Sequence, residues 1–127
     1  MNQPIIVRYK EEDRLKSDRW ELVYSVTYQT KAGKVTVPRG YTTDFASVPM
    51  ILWGFFPPIG RHNRATILHD WWYDNRLFQK ELGMKEARRL ADQELYEQLK
   101  LVEPNKPIRN YCMYLACRLF GRSWWIN

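Results

Sequence analysis

No apolar run in the 127 residues approaches the ~20 that a transmembrane helix needs, so no membrane span is expected. Met1-Asn2-Gln3-Pro4 carries no apolar signal core, so no secretory signal is expected either. Cysteine is scarce. Cys112 and Cys117 stand five apart in a predicted helix and point to different faces, so neither a disulfide framework nor a zinc site follows. A reducing compartment is the expectation. Internal repeats and low-complexity tracts are absent. What is present is the composition of a folded chain, with 45% hydrophobic, 15% aromatic and 27% charged residues. The length fits one domain over 1–127. The formal charge of +6 favours anionic partners, among them nucleic acid, phosphate-bearing molecules and an anionic membrane surface. Lys31/Lys34, Arg61/Arg64 and Arg88/Arg89 are scattered, however, and no groove-reading motif occurs. Sequence-specific nucleic-acid binding is therefore not expected.

The chain reads as α+β, with an N-terminal β-hairpin or short antiparallel sheet, a long loop and then three α-helices. The β-rich part covers about 1–48. Pro4 to Tyr9 is β-branched and apolar, and Glu11 to Arg14 breaks it. Trp20 to Tyr28 alternates near period two, Lys31 to Lys34 turns the chain, and Val35-Thr36-Val37 answers as a partner strand. Residues 49–62 form a loop, because Pro49, Pro57 and Pro58 forbid a long helix there. Its apolar groups either pack over the core or dock onto something else. The helical part covers about 63–121. A first helix is predicted over 64–80 with Asn63 as N-cap, ended at Gly83. A second runs over 84–101 with Met84, Ala87, Ala91, Leu95 and Leu99 as its apolar stripe. A third starts near Pro107 and stops near Gly121, with Ile108, Tyr111, Cys112, Leu115 and Leu119 as its core face. The apolar tail from Ser123 to Asn127 is expected to dock onto the body of the chain.

The residues able to carry chemistry concentrate between Ala65 and Asp74. On a helix His69 and Tyr73 share a face one turn apart, with Asp70 on the same flank. Leu68, Trp71 and Trp72 surround the imidazole and exclude water from it. A histidine beside a carboxylate in such a setting suits general-base chemistry or metal binding. Asp92 lies four residues after Arg88 and borders the apolar stripe of the second helix. If the two helices pair antiparallel across Leu82-Gly83, Asp92 faces back and orients His69 through a hydrogen bond. The plainer alternative is a chance His-Asp doublet and a surface ion pair of Asp92 with Arg88, worth ~0–1 kcal/mol.

Val37-Pro38-Arg39-Gly40-Tyr41-Thr42-Thr43-Asp44-Phe45-Ala46-Ser47-Val48-Pro49, then Ala65 to Tyr73, Ala91-Asp92 and the helix from Tyr111 to Gly121, together resemble the domain-of-unknown-function 1353 family of small phage and prophage proteins. The resemblance covers most of the chain from about residue 35 and implies phage provenance without an activity. A second, more distant resemblance concerns the site alone. His69-Asp70-x-x-Tyr73-Asp74 followed by Ala91-Asp92 is similar to phospholipase A₂ enzymes, the disulfide-free parvovirus capsid version above all. That resemblance implies His69 as general base, Asp70 as calcium ligand, Asp92 as the orienting carboxylate and Tyr73 as its support. The glycine-rich loop that completes the calcium shell in those enzymes has no counterpart, since Gly54 and Gly60 are too far apart. Asp44 is a weaker candidate for the missing metal carboxylate, against a turn or capping role. A further metal reading, ranked lower, takes His62, His69, Asp70 and Asp92 after the phosphohydrolases named for a His-Asp doublet.

Two functions follow as expectations. One is a phage-encoded hydrolase, phospholipase A₂-like and calcium-assisted, meeting a phospholipid membrane surface through Trp53, Phe55, Phe56, Trp124 and Trp125. The other is a non-catalytic phage structural protein of tail or baseplate. Its partners would be other phage proteins, and His69, Asp70, Tyr73 and Asp92 would form a buried structural network. The expected location is the host cytoplasm or the virion.

Overall fold

A computed structural model describes residues 5–10, 19–43 and 61–126 of the chain. The architecture is α+β, a small antiparallel β region followed by four helices. Strands β1 (Val7–Lys10), β2 (Arg19–Leu22) and β5 (Thr42–Thr43) form one sheet in the order β1-β2-β5. Strands β3 (Val26–Thr30) and β4 (Gly33–Val37) form a separate hairpin. The continuous strand expected from Trp20 to Tyr28 is thus two strands in two sheets. Backbone bonding explains the break: Val23 donates to Ile6 and Leu22 to Tyr41, which holds this stretch to the first sheet before the chain bends.

The hairpin register pairs Val26 with Val37 and Tyr28 with Val35, and the period of two puts all four on the buried face. The turn ends on Gly33, whose φ of 125° lies where a side chain would be strained. Two contacts tie the hairpin to the helices. The Tyr28 hydroxyl donates to the carbonyl of Arg64 at 2.7 Å, and the backbone N–H of Lys31 donates to Glu94 Oε1 at 2.9 Å.

The helices are α1 (Asn63–Asn75), α2 (Gln79–Leu82), α3 (Met84–Val102) and α4 (Pro107–Ile126). The first helix is shorter than the 64–80 expected. Arg76 enters the left-handed region at φ 47° and its N–H caps the carbonyls of Trp72 and Tyr73, ending α1 there and leaving α2 as a separate short turn. Helix α3 follows its predicted stripe, with Ala87, Ala91, Leu95 and Leu99 buried.

Helix α4 departs from expectation in two ways. It runs through Gly121 to Ile126, so the supposed tail is its last turns. It also buries the other face: Asn110, Met113, Ala116, Cys117, Gly121 and Trp125 point inward, while Ile108, Tyr111, Cys112, Leu115 and Leu119 are exposed. The helix is apolar on both sides, so periodicity does not choose between them. Side-chain size decides, because Ala116, Cys117 and Gly121 let α4 approach closely where bulkier residues would hold it away.

Candidate functional site

Helices α1 and α3 run antiparallel, so His69 meets Asp92 and, one turn on, Tyr73 meets Arg88. This is the pairing expected from the short connection between them. The geometry centres on Asp92, which is 0% exposed. Its Oδ1 lies 2.7 Å from His69 Nε2 and accepts from the Tyr73 hydroxyl at 2.6 Å. Its Oδ2 accepts from Arg118 Nη1 at 2.8 Å and from Arg88 Nη1 at 3.4 Å. Arg88 also donates to the carbonyl of Cys117 at 3.1 Å, which fastens α3 to α4.

Burial by itself would raise the Asp92 pKa. The hydrogen bond from His69, with the bonds from Tyr73 and Arg118, outweighs it and holds the carboxyl below the ordinary aspartate range. An ionised carboxylate only accepts hydrogen bonds, so His69 must donate from Nε2. In the neutral imidazole Nδ1 is then the bare nitrogen, and among the described residues this buried atom has no protein partner. Tyr73 stays protonated, its pKa raised by burial first and then by the charge of Asp92. Its ring packs against His69 at 4.3 Å and edge-on to Trp125 at 5.0 Å.

Asp70 Oδ2 accepts from the Thr43 hydroxyl at 2.7 Å. One turn on, Asp74 accepts from the Tyr41 hydroxyl at 2.6 Å. Gly40, at φ 90°, makes the turn that brings Tyr41 and Thr43 to this helix. The segment from Pro38 to Thr43 therefore fastens the first sheet to the helix that carries His69.

Of the residues singled out in the sequence, His69, Tyr73 and Asp92 come together in one bonded cluster, and Asp70 stands beside it on Thr43. Asp44, Trp53, Phe55 and Phe56 lie outside the described residues. Trp125, expected at a membrane surface, is 1% exposed and supports Tyr73 instead. His62, and not Asn63 as expected, takes the N-cap position of α1 through its backbone carbonyl, which accepts from Ala65 and Thr66; it is buried and is not among the clustered metal-ligand atoms.

That cluster comprises His69, Asp92 and Cys117, whose ligand atoms lie within 4.8 Å of one another. It does not suit a cation. Burial, then the charges of Asp92 and Asp70, push the Cys117 thiol well above its ordinary pKa, and two guanidiniums already hold Asp92. Calcium takes about six to eight oxygen ligands. Among the described residues Asp70 and Thr43 alone do not supply such a shell.

Sequence reasoning missed Arg118, Cys117 and Gly121. Gly121 reads as a helix stop, but a Cβ there would lie 2.6 Å from the Tyr73 hydroxyl and 3.1 Å from Arg88 Nη1. Tyr73 is pinned between Asp92 and Trp125 and has little room to give. Gly121→Ala is expected to destabilise the fold by about 1–3 kcal/mol despite its better helix propensity. Urea unfolding checks this, and the loss should shrink in a Tyr73→Phe background, where the clashing oxygen is gone.

Fold and site define a class: an α+β chain with a buried His–Asp pair clamped between two antiparallel helices and closed by a third. Residues 20–117, more than half of the chain, match the model of a protein family of unknown function, DUF1353, and the chain belongs to that family. Neither the curated proteins nor the solved structures contain a match. No helix among the described residues is long and apolar enough to cross a membrane.

Proposed function

We propose that this chain is a phage-encoded hydrolase of ester bonds, with phospholipid as the substrate class and His69 as the general base. The observation that carries this reading is the bare, buried Nδ1 of His69 on a ring whose other nitrogen is committed to Asp92. A buried acceptor without a protein donor is the place at which a water molecule bonds. In the proposed reaction that water gives a proton to Nδ1 as its oxygen attacks the ester carbonyl carbon. Asp92 stabilises the imidazolium that forms, and Tyr73 and Arg118 fix Asp92. The proton then passes from Nδ1 to the leaving alkoxide as the C–O bond breaks, releasing a fatty acid and an alcohol. The phospholipase A₂-like spacing of His69, Asp70, Tyr73 and Asp92 supports the substrate class, as does a charge of +6 that favours anionic lipid surfaces. Calcium, which the phospholipase A₂ resemblance would place at Asp70, enters the test and not the mechanism.

The test is fatty-acid release from mixed phospholipid vesicles, with calcium and with a chelator. Release by the wild-type chain is expected, and its absence in a folded protein would overturn the reading. Loss with the chelator would add calcium at Asp70. The second reading, a phage structural component whose network only holds the helices together, is favoured by one observation. Four donors converge on Asp92, more than an orienting role needs. It predicts no release and co-purification with virions.

A further inference from the structure

The face of α4 that turns outward is apolar in a regular pattern broken once, at Arg122. Ile108, Cys112, Leu115, Leu119, Arg122 and Ile126 follow one another at spacings of four, three, four, three and four. This is a 3.5-residue seam over nearly three heptads, the period by which one helix meets another. Ile108 is 81% exposed and Leu119 73%, so none of the described residues covers them. With Tyr111 beside it, the seam's half- to largely exposed apolar side chains present on the order of 600 Å² of surface. That equals one partner's share of the smaller specific interfaces, about 1,200 Å² in total.

We infer that this face is a self-association surface on which a second copy of the chain lays its own α4 antiparallel. The two-fold axis falls at Cys117. It sets Ile108 against Ile126 of the other copy and Leu115 against Leu119, with Cys112 opposite Arg122. Apolar residues thus meet apolar residues in the four outer and inner layers, and no like charges face one another. An isologous contact of this kind closes on itself and forms a dimer, not a filament. Leu115 and Leu119 lie next to the axis and form its centre, where packing contributes most. The surface is independent of the proposed reaction, since His69 and Asp92 face the other side of α4.

Sedimentation velocity of the full chain over a rising concentration series is the first test. A shift from 15.4 kDa to twice that mass is expected, with Leu119→Glu weakening association by roughly tenfold or more. Because Leu119 is exposed, that variant should keep the wild-type circular dichroism and melting temperature. Register is tested by cross-linking in a Cys112→Ser background. Ile108→Cys and Ile126→Cys chains should form a disulfide when mixed, and neither should form one alone, because the positions are about 27 Å apart along the helix. A folded wild-type chain that stays monomeric at every concentration would overturn the inference. So would cross-linking of either variant with itself, or vesicle binding by this face in a chain that does not self-associate.

Discussion

His69→Gln is expected to lower ester hydrolysis by about 10²- to 10⁴-fold while leaving the fold close to wild type. The glutamine amide nitrogen sits near the position of Nε2 and can donate to Asp92, so the buried carboxylate keeps its partner. What glutamine lacks is a basic nitrogen at the position of Nδ1. Alanine at 69 is a poorer probe, because it opens a cavity beside Tyr73 and confuses loss of chemistry with loss of packing. Fatty-acid release and thermal unfolding, measured on the same preparation, separate the two. Full activity in the glutamine variant would remove His69 from the mechanism.

Asp92→Ala is expected to be the most destabilising single change in the site, by roughly 3–5 kcal/mol. It strips the shared acceptor from His69, Tyr73, Arg118 and Arg88 and leaves two guanidiniums facing each other beside a buried imidazole. A fall in melting temperature of roughly 10–20 °C should follow. The same carboxylate carries a pH signature. Its pKa in the folded state is depressed below the ordinary 3.8, so its contribution is present above that value. The contribution is lost as pH falls through the lower folded value. Urea unfolding at neutral pH and at about pH 3 should show this acid loss in the wild-type chain. Asp92→Asn should lack that component and be less stable throughout. A pH profile identical in the two chains would contradict the ionised, fully bonded Asp92.

The dyad was legible because its parts obey local rules. His69 and Tyr73 lie one turn apart, Asp92 edges the stripe of Ala87, Ala91 and Leu95, and a short link makes the two helices antiparallel. The hairpin of Val26, Tyr28, Val35 and Val37 was legible for the same reason, as a period of two around a glycine turn. What was not legible depends on distant packing. Nothing local tells that Ala116, Cys117 and Gly121, and not Ile108, Leu115 and Leu119, face inward, because both sides of α4 are apolar. Arg118 could not be assigned to Asp92 until that rotation was known. Gly121 looked like a stop signal because the requirement it meets, room for the Tyr73 hydroxyl, lies 48 residues away in sequence. The motif from Val37 to Pro49 was conspicuous, yet its purpose for Tyr41 and Thr43 emerges only from the carboxylates of Asp74 and Asp70 that they meet.

The proposed hydrolysis requires His69 to present an unprotonated Nδ1 while Nε2–H is held by Asp92. Long-range ¹H–¹⁵N correlation of the His69 imidazole at neutral pH tests it most directly. A proton on Nε2 alone is expected, with Nδ1 at the shift of a bare ring nitrogen. A proton on Nδ1, alone or together with Nε2, would leave the site without its base and contradict the proposed mechanism.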